Sequence, residues 1–504
     1  MPGSSSFSEY VIMFRRIFRL APPHEVKRGF LARGLTALGL STMVVLLAAA
    51  AIVLSYAHYF IYDPHVTPLQ LYHNAWSVAR DNIYDQSKLK DWDSWEHKYD
   101  DQIHTEDDAL KYASEMVEHL NESYTKLLTA SIVERDKERA DGHYIGVGVE
   151  LAVRGSQLTV KRVVPGGPAE KSGLQDGDDF VSIDGRDVST WSIAMLSDAL
   201  KGDDGQTVTL VMRRNGNDFS VTITRGKVPQ SVVKTMEVAP LPGKKAGKRL
   251  KGLVPANHMQ LVDSAAHGGT VAPAASASRV GYIRIETFDQ WSVHAQVQEA
   301  MEKLANCEAL VIDLRDNPGG FIHEAVRTAA LFMDAGNVTN VNLRLPRGGY
   351  MMTHVNITPS QILLKADYGV VSGFPVPMFQ RPPNLLKGRP VVLLVNGNSA
   401  SAAEMFSAAL IDNGIATAVG TTTFGKGIGQ TYLPIGNGHK LRITHLHAFT
   451  PAGTFLGDAG QTVSNGIQPA VRLEKVGYGV YGTASDNQFQ EAVRLLELKL
   501  PARP

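Results

Sequence analysis

The stretch PVVLLVNGNSASAAEMFSAALIDNG, residues 390–414, joins the two patterns that decide the fold. Its first part is an unbroken apolar run typical of a buried strand, and the part from Ser401 onward has apolar residues at helical spacing. The small residues between them allow a ligand or another backbone to approach closely. The serines therefore lie where a strand passes into the N-terminus of a helix, and either a helix cap at Ser399 or a nucleophile fits there.

Strand-like and helical patterns alternate from Val280 to about residue 478. Runs such as VGYIRIETF and ALVIDLRDN are followed by helical runs such as VHAQVQEAMEKLA and HEAVRTAALFMDA. Alternation of this kind predicts an α/β domain with a largely parallel sheet. A long Pro- and Gly-rich excursion interrupts the pattern at residues 335–388, and a C-terminal helix is expected within residues 479–504.

Three further segments precede this domain. Apolar residues at helical spacing predict a helical segment at residues 64–140. Short β-like runs separated by Gly, Asp and Asn turns predict a small β-rich module at residues 144–228. Residues 229–279 are rich in Gly, Pro and Lys and have no period, so they are interpreted as a linker or loop.

The N-terminal region has the pattern of a membrane anchor. Residues 34–57 carry no formal charge and are long enough to cross a bilayer as one transmembrane helix. The preceding residues 1–33 contain several Arg and Lys, so the positive-inside rule puts this tail in the cytoplasm and the rest of the chain on the periplasmic or extracytoplasmic side of the inner membrane. Cleavage after SYA, residues 55–57, is the alternative, but the long basic flank favours an uncleaved anchor.

Composition and single residues exclude several function classes. Lys plus Arg and Asp plus Glu are balanced at 50 each in 504 residues, so no overall field favours nucleic acid. The single cysteine, Cys307, excludes an intrachain disulfide and a multi-cysteine metal site, and we interpret it as a core residue. His445 and His447 lack any further metal-ligand pattern and are interpreted as strand histidines. We expect no metal and no cofactor.

A nucleophilic serine needs a base, and no histidine lies near Ser401 in the sequence. The segment TTTFGKGIGQT that follows contains Lys426 between two glycines. If the following residues form a strand, Lys426 and Gln430 share one face. A lysine deprotonates a serine only when it is neutral, and burial would supply that state by lowering its pKa. On spacing alone, the cap interpretation of Ser399 is the better one.

The motifs LVIDLRDNPGG, NSASAAEMFSAALID and TFGKGIGQT occur in this order in the carboxy-terminal processing, or tail-specific, serine proteases, which the chain resembles from about residue 64 to its end. The resemblance implies an α/β protease core with a crotonase- or ClpP-like parallel sheet and helices. It also implies that Ser401, rather than Ser399, is the nucleophile. Lys426 matches the base and Gln430 the third position of a Ser/Lys/Gln site.

The resemblance extends to the oxyanion hole and to the β-rich module. By motif, the oxyanion hole comes from the backbone N–H of Gly319 or Gly320 in NPGG and of Ala402. The module is similar to a bacterial PDZ domain, in which the N–H groups of YIGVGVEL would bind a substrate's terminal carboxylate. Asp412 matches a family aspartate with a structural role. The four predicted carboxylate-binding residues are Ile145, Gly146, Val147 and Gly148.

These observations predict a membrane-anchored serine endopeptidase that processes protein or peptide substrates near their C-termini, with an activating or adaptor protein as a further partner. The alternative is a catalytically inert, membrane-tethered PDZ adaptor. Against it, the chain retains Ser401 and Lys426, and an unused buried lysine is costly. A penicillin-interacting enzyme is not favoured, because SYTK at Ser123–Lys126 and SDN at Ser485–Asn487 occur without a K-T-G motif.

Overall fold

A computed structural model describes residues 63–238, 261–262, 280–346, 348–369, 371–475 and 481–501. The predicted basic tail and transmembrane helix lie outside these residues, as does most of the predicted linker. Within the described part of the chain, no helix is long and apolar enough to span a membrane.

The first described segment is helical, as its sequence predicts, but it also contains one strand. Thr67 and Thr105 each cap a helix in a capping box, with Gln70 and Asp108 as the reciprocal partners. The strand pairs with a distant part of the chain at Lys440–Arg442 and fixes this segment to the C-terminal part of the fold. The elements are α1 (Pro68–Asn82), short 3₁₀ turns at Gln86–Leu89, Trp92–Trp95 and Asp100–Gln102, α2 (Glu106–His119), β1 (Lys126–Leu128) and α3 (Ala130–Ala140).

The β-rich module has its own hydrophobic core and two short helices. Its main sheet has the order β3-β4-β5-β7-β8 with β6 beside β5, and β2 pairs with β9. Phe180, Leu196 and Leu210 are buried in its core. The elements are β2 (His143–Gly146), β3 (Val149–Arg154), β4 (Gln157–Val163), α4 (Pro168–Lys171), β5 (Asp179–Ile183), β6 (Arg186–Asp187), α5 (Ile193–Leu200), β7 (Thr207–Arg214), β8 (Asn217–Thr224) and β9 (Gly226–Pro229).

The remaining elements form two sheets. They are β10 (Val233–Val238), β11 (Leu261–Val262), β12 (Val280–Ile285), α6 (Val293–Lys303), β13 (Ala309–Asp313), α7 (Ile322–Ala329), β14 (Gly336–Arg344), β15 (Tyr350–Ile357), β16 (Gln361–Tyr368), β17 (Val371–Ser372), β18 (Val376–Gln380), β19 (Val391–Val395), α8 (Ala402–Asp412), β20 (Ala416–Gly420), β21 (Ile428–Gly436), β22 (His439–Phe449), β23 (Val471–Arg472) and α9 (Asn487–Lys499).

The first of these sheets confirms the predicted α/β domain. Its order is β11-β10-β12-β13-β19-β20-β23, and the strands from β12 to β23 are parallel. Helices α6, α7 and α8 pack on one face and α9 packs on the other, because alternate residues of the fully apolar strands serve two separate cores. Residues 233–238, which the sequence assigned to the linker, form β10 and extend this sheet antiparallel to β12.

The second sheet is antiparallel and contains residues 335–388, the segment where the sequence predicts an interruption of the alternating pattern. That segment forms β14 to β18, and β14 pairs with β22. Strand β22 also pairs with β21 along its length and with β1 from the helical segment. Buried Val338, Val355 and Ile362 attach the new strands to the main core. The second sheet therefore brings the helical segment and the segment after Lys426 together.

A buried ionic cluster fixes the loop after β13. The Arg315 guanidinium donates to the carboxylates of Asp313 and Asp486, with the closest N···O distances at 2.6 Å. Burial alone would lower the pKa of Arg315, but its two carboxylate partners raise it overall. All three side chains are fully buried. Asp486, in the SDN sequence at Ser485–Asn487, therefore has a structural role. It caps α9 and, through Arg315, holds the loop after β13.

Candidate active site

Ser401 lies at the turn between β19 and α8 and has an unusual backbone. Its φ of 54° and ψ of −118° are rarely adopted by residues with a side chain, and such strain often marks functional turns. Ser401, and not Ser399, is the N-cap of the helix. Ser399 is buried, donates to the Leu314 carbonyl at 2.8 Å and accepts from the Asn396 N–H at 3.0 Å. The interpretation of Ser399 as the helix cap is therefore wrong.

Glu404, which the sequence reasoning missed, joins the nucleophile segment to the lysine segment. Its Oε2 accepts hydrogen bonds from the backbone N–H of Ser401 and of Lys426, both at 2.8 Å. Its Oε1 accepts from the Gly425 N–H at 2.7 Å and from the Thr423 hydroxyl at 2.5 Å. Burial raises the pKa of this carboxyl, and the hydrogen bonds offset part of the rise. The capping-box spacing of Ser401 and Glu404 was the available sequence signal.

Lys426 is held in a site that favours a neutral amine. Burial, and secondarily the charge of Arg442, lower the pKa of Lys426, while Glu122 and Glu404 act in the opposite direction. Its Nζ lies 4.1 Å from the ring centre of Tyr124. Lys426 precedes β21 and forms an isolated bridge with Asp458, so the predicted sharing of one strand face with Gln430 does not apply.

Gln430 lies in β21 and belongs to a hydrogen-bond chain that reaches the helical segment. Its Nε2 donates to the Thr444 hydroxyl at 3.2 Å, and that hydroxyl donates to Glu122 Oε2 at 2.7 Å. Glu122 also accepts from the hydroxyl of Thr125. These hydrogen bonds link Gln430 to Glu122, one of the charges that act on the pKa of Lys426. Glu122 was missed because the sequence around it reads as a helix surface.

The glycine loop after β13 packs directly against Ser401. A Cβ on Gly319 would lie 2.8 Å from the Ser401 Cβ and 2.9 Å from the Ala402 nitrogen, and the Gly319 φ is 96°. Only glycine fits there without a shift. The Gly319 N–H donates to Asn317 Oδ1 at 2.9 Å and is therefore occupied. Among the described residues, the N–H groups of Gly320 and Ala402 have no hydrogen-bond acceptor.

The PDZ-like module contains a groove of about 300 Å³ between β3 and α5. Val147 and Gly148 line it, whereas Ile145 and Gly146 lie in β2 and pair with β9. The groove thus contains only two of the four predicted carboxylate-binding residues. Lys201, at the end of α5, also lines the groove and supplies a positive charge that the sequence reasoning did not consider.

The other residues singled out in the sequence have structural surroundings. His445 Nδ1 lies 3.3 Å from the Asn82 carbonyl oxygen, and His447 stacks on Tyr84 at 3.7 Å between ring centres. Burial lowers the pKa of both histidines. Cys307 is buried as a free thiol. Asp412 accepts a hydrogen bond from the Ala452 N–H at 3.0 Å.

Comparisons with known proteins agree with the motifs. Residues 279–473 match the sequence model of peptidase family S41, and residues 159–214 match a PDZ domain. A carboxyl-terminal-processing protease of a Picosynechococcus species is 27% identical over 401 residues, which cover 78% of this chain and 80% of that protein. A probable CtpA-like serine protease of Staphylococcus saprophyticus is 26% identical over 365 residues, covering 72% of this chain and 60% of that protein. The chain thus spans about three fifths of the length of this staphylococcal relative.

One solved structure to which the chain is similar is the photosystem II D1 C-terminal processing protease. The TM-score is 0.44 and the sequence identity 24%, over 83% of this chain and 96% of that one. The predicted resemblance to carboxy-terminal processing proteases with a PDZ domain is confirmed by the sequence matches.

Proposed function

We propose, from the peptidase family S41 domain at residues 279–473 and the PDZ domain at residues 159–214, that this chain is a serine peptidase that processes proteins near their C-termini. Ser401 is the nucleophile, Lys426 its base and Gln430 a positioning residue. The observation that carries this proposal is the Glu404 carboxylate, which binds the backbones of Ser401 and Lys426 through the same oxygen.

The reaction follows from these groups. The neutral Lys426 amine accepts the hydroxyl proton of Ser401 as the Ser401 Oγ attacks the substrate carbonyl. The N–H groups of Ala402 and Gly320 stabilise the oxyanion of the tetrahedral intermediate. The protonated lysine then gives its proton to the leaving amine, and an acyl-serine remains. Water, deprotonated by the neutral lysine, attacks the ester, releases the acid product and restores Ser401.

Cleavage of a peptide by the purified full-length chain tests this assignment. We expect Ser401→Ala and Lys426→Arg to lose activity, because a guanidinium stays protonated at any working pH. Ser407→Ala is the matched control, since Ser407 lies on the same helix and its hydroxyl only donates to the Ala403 carbonyl at 2.8 Å. Full activity of Lys426→Arg would contradict the role of the base. Absence of cleavage by the unaltered chain would favour the inert adaptor instead.

The PDZ groove is the proposed site for the substrate's terminal carboxylate. Val147, Gly148 and Lys201 line it, and backbone N–H groups and a lysine ammonium are both groups that bind a carboxylate. Amidation of a peptide's C-terminus removes the charge, so cleavage efficiency should fall by at least about tenfold, which corresponds to ~1.4 kcal/mol. Lys201→Gln should reduce the difference between free and amidated peptides. Equal cleavage of both peptides by the unaltered chain would refute tail recognition.

The membrane anchor at residues 34–57 and the extracytoplasmic location of the catalytic part belong to the same proposal. The uncharged stretch and its basic flank support it. Reporter fusions after residue 62 test the orientation, and activity of a cytoplasmic reporter there, with silence of a periplasmic one, would contradict it. We also propose that the core is crotonase- or ClpP-like and that an adaptor or activating protein acts on the enzyme.

A further inference from the structure

A cluster of two histidines and one aspartate lies in the helical segment. His73 is on α1, His97 lies in the turn that precedes the last 3₁₀ helix, and Asp100 is the first residue of that helix. The Asp100 Oδ1 lies 2.9 Å from His73 Nε2, and its Oδ2 lies 2.8 Å from His97 Nδ1. One ligand atom from each residue lies within 4.8 Å of the other two. Three metal-ligating groups therefore converge on one point.

Aromatic side chains hold these groups in place. The rings of His73 and His97 are 5.2 Å apart between centres, and Tyr72 packs on His73 at 5.8 Å. Tyr72 also packs edge-on against Tyr99, and its hydroxyl donates to the carbonyl of Trp95. The turn is thus fixed on α1 by packing, so binding a ligand would require little ordering of these groups.

Charge also favours a cation at this point. Asp100 is the acidic member of the cluster, and its two oxygens face the two histidines. Within the described part of the chain, no lysine or arginine pairs with it. The nearby Lys98 instead places its Nζ 3.5 Å from the Trp95 ring centre and 3.8 Å from Glu115 Oε1.

We propose that His73, His97 and Asp100 bind a divalent transition metal ion of the zinc class. Two imidazole nitrogens and one carboxylate oxygen are a donor set that zinc accepts, with distances of about 2.0–2.2 Å. Calcium and magnesium prefer all-oxygen sites, so the imidazoles disfavour them. The His97 side chain is 68% exposed and leaves access for the ion and for water at a remaining position. The ion ties the turn to α1, which contacts the second sheet through the bond from Asn74 Nδ2 to the Ile435 carbonyl.

Cobalt titration of the full-length chain, purified without a histidine tag and freed of metal by a chelator, tests the site. Cobalt(II) substitutes for zinc and absorbs visible light when ligated. We expect one equivalent to produce such a spectrum and zinc to displace it. Asp100→Asn and His97→Ala should each weaken cobalt binding by at least about tenfold, because each removes one of only three protein ligands. His104→Ala is the matched control, because His104 is an exposed histidine of the same segment but not a proposed ligand. This variant is expected to bind cobalt as the unaltered chain does.

A second measurement separates binding from loss of the fold. Zinc should raise the thermal unfolding temperature of the unaltered chain and of His104→Ala but not that of His97→Ala. His97 is largely exposed, so its variant is expected to fold. The proposal would be overturned if the unaltered chain bound no cobalt. It would also be overturned if Asp100→Asn and His97→Ala bound cobalt as tightly as the unaltered chain. The result does not depend on peptidase activity.

Discussion

Replacement of Glu404 by Gln is the sharpest test of how the site is built. The carboxylate accepts four hydrogen bonds, two at each oxygen, and each donor is a backbone N–H or a hydroxyl. In the glutamine variant one oxygen becomes an NH₂ group. That group cannot accept, and it would face two donors in a fully buried position. If the NH₂ group faces Ser401 and Lys426, two of the four bonds are lost. If it faces Gly425 and Thr423, the hydroxyl can rotate and accept, and the bond from the Gly425 N–H is lost.

The expected loss follows from these bonds. Hydrogen bonds to charged groups contribute about 1.5–3 kcal/mol each, so the loss of one or two bonds corresponds to about 1.5–6 kcal/mol of unfolding free energy. The true value should lie near the lower end, because burial already raises the pKa of Glu404 and the variant no longer buries a charge. If the amide faces Ser401 and Lys426, their backbones separate. A displacement of 1 Å costs on the order of 10²-fold in catalytic rate.

Two measurements on the same preparation are needed. Urea unfolding gives the change in stability, and cleavage of a peptide at saturating concentration, under conditions where the variant is folded, gives the change in kcat. Asp412→Asn is the control, since Asp412 lies at the other end of the helix and accepts one exposed bond from Ala452. It should cost under about 1 kcal/mol and leave kcat unchanged. A Glu404→Gln variant with wild-type kcat would refute the reasoning that this carboxylate positions the nucleophile and base.

Two further predictions concern the pH profile and the glycine loop. Activity should rise with pH as Lys426 loses its proton. Arg442 lowers the pKa of Lys426, so Arg442→Gln should move the rising limb of kcat/KM to higher pH. Glu122 raises that pKa, so Glu122→Gln should move the limb to lower pH. Shifts in the same direction would contradict the electrostatic assignment. Gly319→Ala should lose about 10²–10³-fold in kcat by displacing the oxyanion loop. Gly388→Ala is the control, because Gly388 has a φ of 75° but open space around it. It should retain activity and lose only about 1–2 kcal/mol of stability. Equal losses of kcat in Gly319→Ala and Gly388→Ala would refute the contact argument.

The sequence by itself determined the class of the main domain and the segments for which we propose a catalytic role. Apolar runs and helical periods are local, because each records how one element buries its own surface. They sufficed for β19, α8 and the parallel sheet, and the motifs around Ser401, Lys426 and Gln430 sufficed for the resemblance that the match to peptidase family S41 supports. The N-terminal membrane anchor stays a prediction from charge and length, because it lies outside the residues that the structure describes.

Only the tertiary structure decided what surrounds the lysine. Tyr124 and Glu122 lie about three hundred residues before Lys426 in the chain, and the pairing of β1 with β22 brings them together. Other long-range pairings showed that residues 335–388 contain strands of the second sheet and that β10, assigned to the linker, belongs to the first sheet. Strand partners are chosen by packing across the whole fold, which no local pattern records. The burial and the Glu122 charge that act on the pKa of Lys426, and the Tyr124 ring beside its amine, could therefore be found only once the chain was folded.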